Sequence, residues 1–205
     1  NRGLTAEQRL LKRASDIVFS CIILVVFSPI LLLVAVLIKL YDGGPVFYKQ
    51  ERLTYNHKVF MIYKFRTMGI DTPKDMPTHM LADPEQYITR VGKFLRKSSL
   101  DELPQIINIL MGKMSIVGPR PALWNQYDLI EERDKYGAND VMPGLTGWAQ
   151  INGRDELEID VKAKLDGEYV KKFGFIMDLK CFFGTITAVL SHKGVVEGGT
   201  GEMHK

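Results

Sequence analysis

Asp101 and Glu102 stand side by side in the stretch SSLDELPQ (98–105), just before Pro104. Leu103, Ile106, Ile107, Leu110 and Met111 then recur on one helical face. The pattern has two readings. In one, Asp101 caps a helix running from about Pro104 to Gly112, with the proline harmless in its first turn. In the other, the acids do chemistry. A helix N-terminus offers free N–H groups and partial positive charge, which attract phosphate and keep a nearby carboxylate ionised. An ionised Asp facing an electrophilic phosphorus can act as a nucleophile. A Glu beside it can hold Mg²⁺, which neutralises pyrophosphate charge.

Phosphoryl transfer also needs a cationic cradle, and Lys64, Arg66, Arg96 and Arg120 are candidates for it. Lys64 and Arg66 fall in KVFMIYKFRTM (58–68), whose alternation predicts a strand with both on one face, together with Phe60 and Ile62. Two solvent-exposed cations on an edge strand are the simpler alternative. Arg120 lies between Pro119 and Pro121, so it projects from a stiff extended segment suited to presenting a guanidinium to an anion, or to a structural ion pair. Arg96 belongs to a stretch, Ile88 to Ser98, with four basic residues, no acidic one and apolar Ile88, Val91, Phe94 and Leu95 at helical spacing. Such a helix suits a membrane surface or an anionic ligand, and equally a solvated position on a core.

The elements that must carry these residues begin with IVFSCIILVVFSPILLLVAVLI (17–38), 22 residues without a charge. That length can span a bilayer. Pro29, preceded by Ser28, should kink it, and both flanks are basic: Arg2, Arg9, Lys12 and Arg13 before, Lys39, Lys49, Arg52 and Lys58 after. The positive-inside rule then favours the cytoplasm for both ends, which predicts a re-entrant helix broken at Ser28-Pro29. A kinked spanning helix is the competitor. In KRASD (12–16), Asp16 could cap the helix with Arg13 as a local ion pair, or Lys12, Arg13 and Asp16 could anchor it at the membrane interface.

After a turn at YDGGP, VFYKQERL (46–53) and the strand at 58–68 form a small β-hairpin. Residues 69–84 read as a loop, and MPGLTGWAQINGR (142–154) as turn-rich. Alternating charges from Asp155 to Lys172 predict a solvated helix. DLKCFFGTITAVL (178–190) is apolar enough for a core or a membrane interface, and the tail VVEGGTGEMHK reads as mobile. The whole is an α+β chain, mostly helical, with a membrane-anchoring helix over 1–40 and a catalytic domain over 41–205.

Composition narrows the classes further. The chain of 205 residues carries net charge +3. Its basic residues lack interleaved aromatic platforms, so nucleic acid is not an expected partner. Cys21 and Cys181 lie far apart, Cys21 within an apolar run, which argues against a disulfide framework. The four histidines lack metal-ligand spacing.

Taken in order, KRASD, the apolar segment with Ser-Pro, YKFRTM, LDELPQIINILMGKMSIVGPRP, PGLTGWAQINGR and MDLK resemble the bacterial sugar transferases, the monotopic polyprenol-phosphate phosphoglycosyl transferases. With one hydrophobic segment, the chain resembles their short catalytic-core form. The resemblance implies transfer of a sugar phosphate from a UDP-sugar to polyprenyl (undecaprenyl) phosphate, releasing UMP and initiating glycan assembly. It implies Asp101 as the nucleophile of a covalent aspartyl-phosphosugar intermediate and Glu102 as the Mg²⁺ ligand. Lys64 and Asp178 match positions the family relies on for activity, Arg96 and Arg120 match phosphate-side positions, and Ser28-Pro29 matches the break of the family's re-entrant helix. The enzyme would sit in the bacterial cytoplasmic (inner) membrane with its site facing the cytoplasm, among membrane lipid. A homodimer is compatible with this but nothing in the residues requires it. Where relatives often carry glycine, ERLTYNHKVF has none between Arg52 and Phe60, which leaves the hairpin loop and Arg52 unassigned. Two rivals stand: a non-catalytic membrane-surface binding protein, and a glycosyltransferase that releases UDP.

Overall fold

The computed structural model describes residues 5–73, 81–153 and 156–191. Residues 74–80 of the 69–84 loop, Arg154 and Asp155, Arg2 of the basic flank, and the tail expected to be mobile lie outside them.

Helix α1 (Ala6–Asp42) starts at a capping box: Thr5 Oγ1 accepts from the Gln8 N–H at 3.2 Å, and Gln8 Oε1 accepts from the Thr5 N–H at 3.0 Å. It stops at Gly43, whose φ of +72° suits glycine at a helix C-terminus. At about 1.5 Å per residue it is roughly 55 Å long, enough to cross a bilayer. Most of its apolar side chains, including Val18, Ile22, Val25, Val26, Leu32 and Leu33, are exposed on the protein, so α1 is not a core helix. Only Asp16, Ser20, Val34 and Ile38 are buried.

The helix continues through Ser28-Pro29 as one element. Pro29 has no N–H for the Val25 carbonyl four residues back, and Ser28 Oγ donates to that carbonyl at 2.9 Å instead. In an apolar medium this matters, because an unpaired carbonyl there has no water to turn to.

The expected hairpin is present. Strands β1 (Phe47–Thr54) and β2 (Lys58–Phe65) pair antiparallel, Phe47 opposite Phe65 and Thr54 opposite Lys58. Asn56 and His57 in the connection take φ of +55° and +59°. They do without glycine what a glycine would do more cheaply, and Asn is among the residues that tolerate this region best. Along β2, Phe60 and Ile62 are buried, Lys64 is mostly covered, and Val59 and Met61 are exposed, as the alternation predicts.

Helix α2 (Arg90–Ser98) is capped by Thr89 and ends at Ser99, a non-glycine residue with φ +59°. Gly92 is required where it stands: a Cβ there would lie 2.0 Å from the Thr67 carbonyl oxygen. A 3₁₀ turn (Leu100–Gln105) then leads into α3 (Ile106–Leu110). The expected single helix from Pro104 is thus two shorter pieces, a 3₁₀ turn and a short α-helix, and the predicted apolar face changes with it. Ile106 and Ile109 are fully buried, while Ile107 and Met111 are exposed. Asp101 is not an N-cap; it sits inside the 3₁₀ turn, whose N-cap is Ser99, and Ser99 makes no side-chain cap hydrogen bond.

Beyond α3, β3 (Ser115–Val117) and β4 (Gly144–Thr146) form a short parallel pair. The chain between them carries the Arg120 segment and α4 (Tyr127–Asp134); α5 (Trp148–Ile151), α6 (Ile159–Lys171) and α7 (Phe175–Ser191) follow. The main core joins Phe60 and Ile62 of β2 to Ile109, Met114, Ile116, Val117, Tyr169, Met177 and Cys181. A second cluster packs Phe65 and Leu95 against Val34 and Ile38 of α1. Helix α6 departs from the solvated helix that its alternating charges predict: Asp166 is fully buried and pairs with Arg133 of α4. On α7, Ile176, Leu179, Phe183, Ile186 and Leu190 form one exposed apolar stripe. Both cysteines are free thiols.

Candidate active site

Three features fix the acid pair beside β2. Asn108 of α3 is buried, and its side chain bridges the β2 backbone, donating from Nδ2 to the Met61 carbonyl at 2.7 Å and accepting at Oδ1 from the Tyr63 N–H at 3.0 Å. It satisfies the strand edge as another strand would. Arg13 of α1 donates to the last carbonyls of α3, at Ile109 and, at 2.7 Å, Leu110, so a cation closes the negative end of that helix. The left-handed Ser99 turns the chain from α2 into the acid-bearing turn.

Asp101 and Glu102 are both buried. Lys64, on the core face of β2, places Nζ 3.4 Å from Glu102 Oε1 and 3.9 Å from Asp101 Oδ2. Arg120 grips Glu102 through both terminal nitrogens, Nη1 to Oε2 at 3.2 Å and Nη2 to Oε1. Arg96 donates from Nε to Thr67 Oγ1 at 2.9 Å, and its charge acts on Asp101. Burial pushes Asp101 above the usual carboxylate range, as does Glu102, against the pull of Lys64, Arg96 and Arg120. Burial pushes Lys64 down, against the pull of Glu102 and Asp101. Three cations thus surround two carboxylates, leaving positive charge for an incoming anion.

The remaining expected site residues lie elsewhere. Arg66 leaves the strand after Phe65 and ion-pairs with Asp42 at the end of α1, with Nη1 2.7 Å from Asp42 Oδ2, and donates to the carbonyls of Pro45 and Met68. It does not join Lys64 at the acid pair. Asp178 of α7 pairs with Lys12 and accepts from the Tyr169 hydroxyl at 2.8 Å. Lys12 also donates to the Val117 carbonyl at 3.3 Å. Asp16 accepts from Ser115 Oγ at 2.7 Å and from the Ile116 N–H at 3.2 Å. Lys12, Arg13 and Asp16 therefore bind α1 to α3, β3 and α7. These contacts replace the expected local Arg13–Asp16 pair.

Among the described residues no group of three metal-ligating side chains occurs. A Mg²⁺ shared with a diphosphate needs only one or two protein carboxylates, because phosphate oxygens supply other ligands. Asp101 and Glu102 would fit that donor set.

Residues 7–192 match the family model described as bacterial sugar transferase. The chain belongs to the bacterial sugar transferase family. Among similar members is a Bacillus subtilis protein named "Uncharacterized sugar transferase EpsL", 40% identical over 186 residues, covering 91% of this chain and 90% of that one. Another is the Escherichia coli "UDP-glucose:undecaprenyl-phosphate glucose-1-phosphate transferase", 42% identical over 192 residues. A third is the Salmonella typhimurium "Undecaprenyl-phosphate galactose phosphotransferase", 35% identical over 203 residues. The alignments with these two cover 89% and 92% of this chain but only 41% and 42% of theirs. This bacterial sugar transferase thus spans nearly all of one relative and about two fifths of the others. Sequence reasoning passed over Asn108 as a positioning group, although it lies within the family-like stretch that follows the acids.

Proposed function

We propose that this protein transfers a sugar phosphate from a UDP-sugar to polyprenyl (undecaprenyl) phosphate. The observation that carries the reading is the buried Asp101–Glu102 pair inside a ring of Lys64, Arg96 and Arg120. Relatives whose names specify undecaprenyl-phosphate sugar phosphotransfer support it.

Asp101 attacks the sugar-bearing phosphorus of the UDP-sugar. A new carboxylate–phosphorus bond forms, the phosphorus–oxygen bond to the uridylyl group breaks, and UMP leaves with the bridging oxygen. The phosphate oxygen of the lipid then attacks the same phosphorus, the acyl–phosphate bond breaks, and Asp101 returns as a carboxylate. Lys64, Arg96 and Arg120 orient the diphosphate and offset charge that builds on its oxygens. Glu102, with Asp101 alongside, would hold Mg²⁺, which when bound supplies Lewis-acid neutralisation of the pyrophosphate.

The exposed apolar surface of α1, long enough to enter a bilayer, supports a membrane location. In the proposed topology α1 enters and returns on the cytoplasmic side, bending at Ser28-Pro29 where the backbone ladder has lost one bond. Exposed Phe94 of α2, Ile107 and Met111, and the apolar stripe of α7, would meet the interface beside it.

The test is the identity of the released nucleotide when the protein is given Mg²⁺, polyprenyl phosphate and a panel of UDP-sugars. UMP supports phosphosugar transfer and identifies the sugar. UDP contradicts it and favours a glycosyltransferase; a membrane-surface binding protein releases neither.

A further inference from the structure

Arg120 stands on an unusual piece of backbone. Pro119 and Pro121 flank it, so this strap has few N–H groups with which to build a ladder of its own. Behind it lies a small solvent-open pocket, lined by Pro119 to Ala122 and by Leu53, His57, Arg133 and Asn139 among others. Pro119, Pro121 and Ala122 are buried, yet packing of these short side chains does not by itself set the direction of the strap.

Its carbonyls do. Four consecutive ones are each bound by a different donor. The Gly144 N–H donates to the Pro119 carbonyl at 2.8 Å. Arg133 Nη1 donates to the Arg120 carbonyl at 2.8 Å. Arg52 Nη1 donates to the Pro121 carbonyl at 2.9 Å. The Leu53 N–H donates to the Ala122 carbonyl at 2.9 Å. The outer two bonds are backbone contacts, to β4 and β1. The inner two, on Arg120 and the residue after it, come from guanidiniums.

Each of those guanidiniums is itself held. Arg133 donates from Nε to Asp166 Oδ2 at 2.7 Å, and both side chains are almost wholly buried, at 3% and 1% exposure. Arg52 donates from Nε and Nη2 to Gln50 Oε1, at 3.2 and 2.9 Å. A planar fork fixed at one end presents its other nitrogen in a set direction, which a lysine ammonium cannot do. Gly144 completes the approach, since a Cβ there would stand 2.0 Å from the Gly118 nitrogen.

We propose that Arg52 and Arg133 are positioning residues for Arg120: by holding the Pro121 and Arg120 carbonyls, they fix the backbone from which Arg120 reaches Glu102. The inference rests on the reaction proposed above only for its kinetic arm. Arg52, on β1, and Arg133, on α4, tie the hairpin and the α4–α6 layer to one guanidinium at the site.

The experiment is a double-mutant cycle on the full chain in nanodiscs, with side-chain NMR of ¹⁵N-arginine protein in parallel. Arg52→Met should slow UMP formation roughly 10- to 100-fold, chiefly in kcat, because a displaced catalytic group costs rates of that order. In an Arg120→Met background the same change should cost less than about twofold, since the group it positions is gone. Arg52→Lys, which keeps one donor for the Pro121 carbonyl, should recover part of the rate. Equal losses in both backgrounds would overturn the proposal and leave Arg52 a general stabiliser.

The NMR arm needs no turnover. Arg52→Met should shift or broaden the Arg120 Nη resonances, assigned by Arg120→Lys, while the Arg133 Nε resonance stays and reports an intact Asp166 pair. Unchanged Arg120 resonances would overturn the proposal. Arg133→Lys, which retains a charge for Asp166 but reaches one partner only, provides the same readout from the other side. If the wild-type protein releases no UMP, the proposed reaction has failed, and the NMR arm alone decides the positioning role.

Discussion

Arg120 takes Glu102 through both terminal nitrogens, with Nη1 at 3.2 Å, while Lys64 lies nearer to Glu102 than to Asp101, 3.4 against 3.9 Å. Two adjacent carboxylates thereby differ in their cation contacts, and in the proposed reaction they take different roles. Glu102 spends its charge on cations, and Asp101 keeps an oxygen less fully neutralised and better suited to attack phosphorus.

That division predicts unequal mutants. Glu102→Gln should lower turnover roughly 100- to 1,000-fold, as loss of one charge-stabilising group does, yet still form a covalent adduct on Asp101. Asp101→Asn should form none. Intact-protein mass spectrometry after addition of UDP-sugar distinguishes them, and an adduct on the Asp101→Asn protein would refute the assignment.

The rate should depend on pH through two groups, Asp101 and Lys64. Burial raises Asp101, so the nucleophile becomes ionised only above the ordinary carboxylate range of about 4. Burial lowers Lys64, so its charge is lost below the ordinary lysine range of about 10. Activity should rise with the first ionisation and fall with the second. Lys64→Met removes a cation that favours ionised Asp101, so its acid limb should move to higher pH and its alkaline limb should weaken. A pH profile of kcat/KM for both proteins measures this, and an acid limb moving lower in Lys64→Met would contradict it.

Asp178 pairs with Lys12 and accepts from the Tyr169 hydroxyl. Asp178→Asn should cost about 1.5–3 kcal/mol of stability, the range for a hydrogen bond to a charged group. Lys12→Met should cost a similar amount, and the double variant distinctly less than their sum, because each single change strands the other partner. Denaturant midpoints of the four proteins in detergent give the coupling. Additive losses would show that Lys12 and Asp178 do not act as a pair.

The topology is testable by itself. With Cys21 and Cys181 replaced by serine and alanine, single cysteines at Ala6 and Lys49 should both label from the cytoplasmic side of oriented vesicles. Labelling from opposite faces would establish a crossing helix and remove the re-entrant one.

Much of this arrangement was legible in local sequence. Strand alternation put Lys64 on the same face as Phe60 and Ile62, and the uncharged run announced α1. What escaped depends on partners far along the chain. Lys12, Arg13 and Asp16 meet groups about 100 or more residues away, and their local pattern fits a cap or a head-group anchor equally well. Arg66 shares the strand period with Lys64, but the strand ends one residue earlier and Asp42 captures the guanidinium. Asp101 resembled a helix cap because Leu103, Ile106, Ile107 and Leu110 keep helical spacing. The left-handed Ser99 and the 3₁₀ turn change the phase of that face, which apolar periodicity cannot report. Alternating charge on α6 hid Asp166, since nothing local marks one carboxylate of several as the partner of a buried arginine.

The most direct test of the covalent aspartyl route is a single-turnover measurement without lipid. The protein is mixed with the accepted UDP-sugar and Mg²⁺, no polyprenyl phosphate is added, and released nucleotide is counted against active sites. The account predicts a burst of up to one UMP per protein, absent in Asp101→Asn, with discharge of the bound sugar phosphate once lipid phosphate is supplied. Nucleotide release that begins only on addition of the lipid would mean direct displacement, and would contradict Asp101 as the nucleophile.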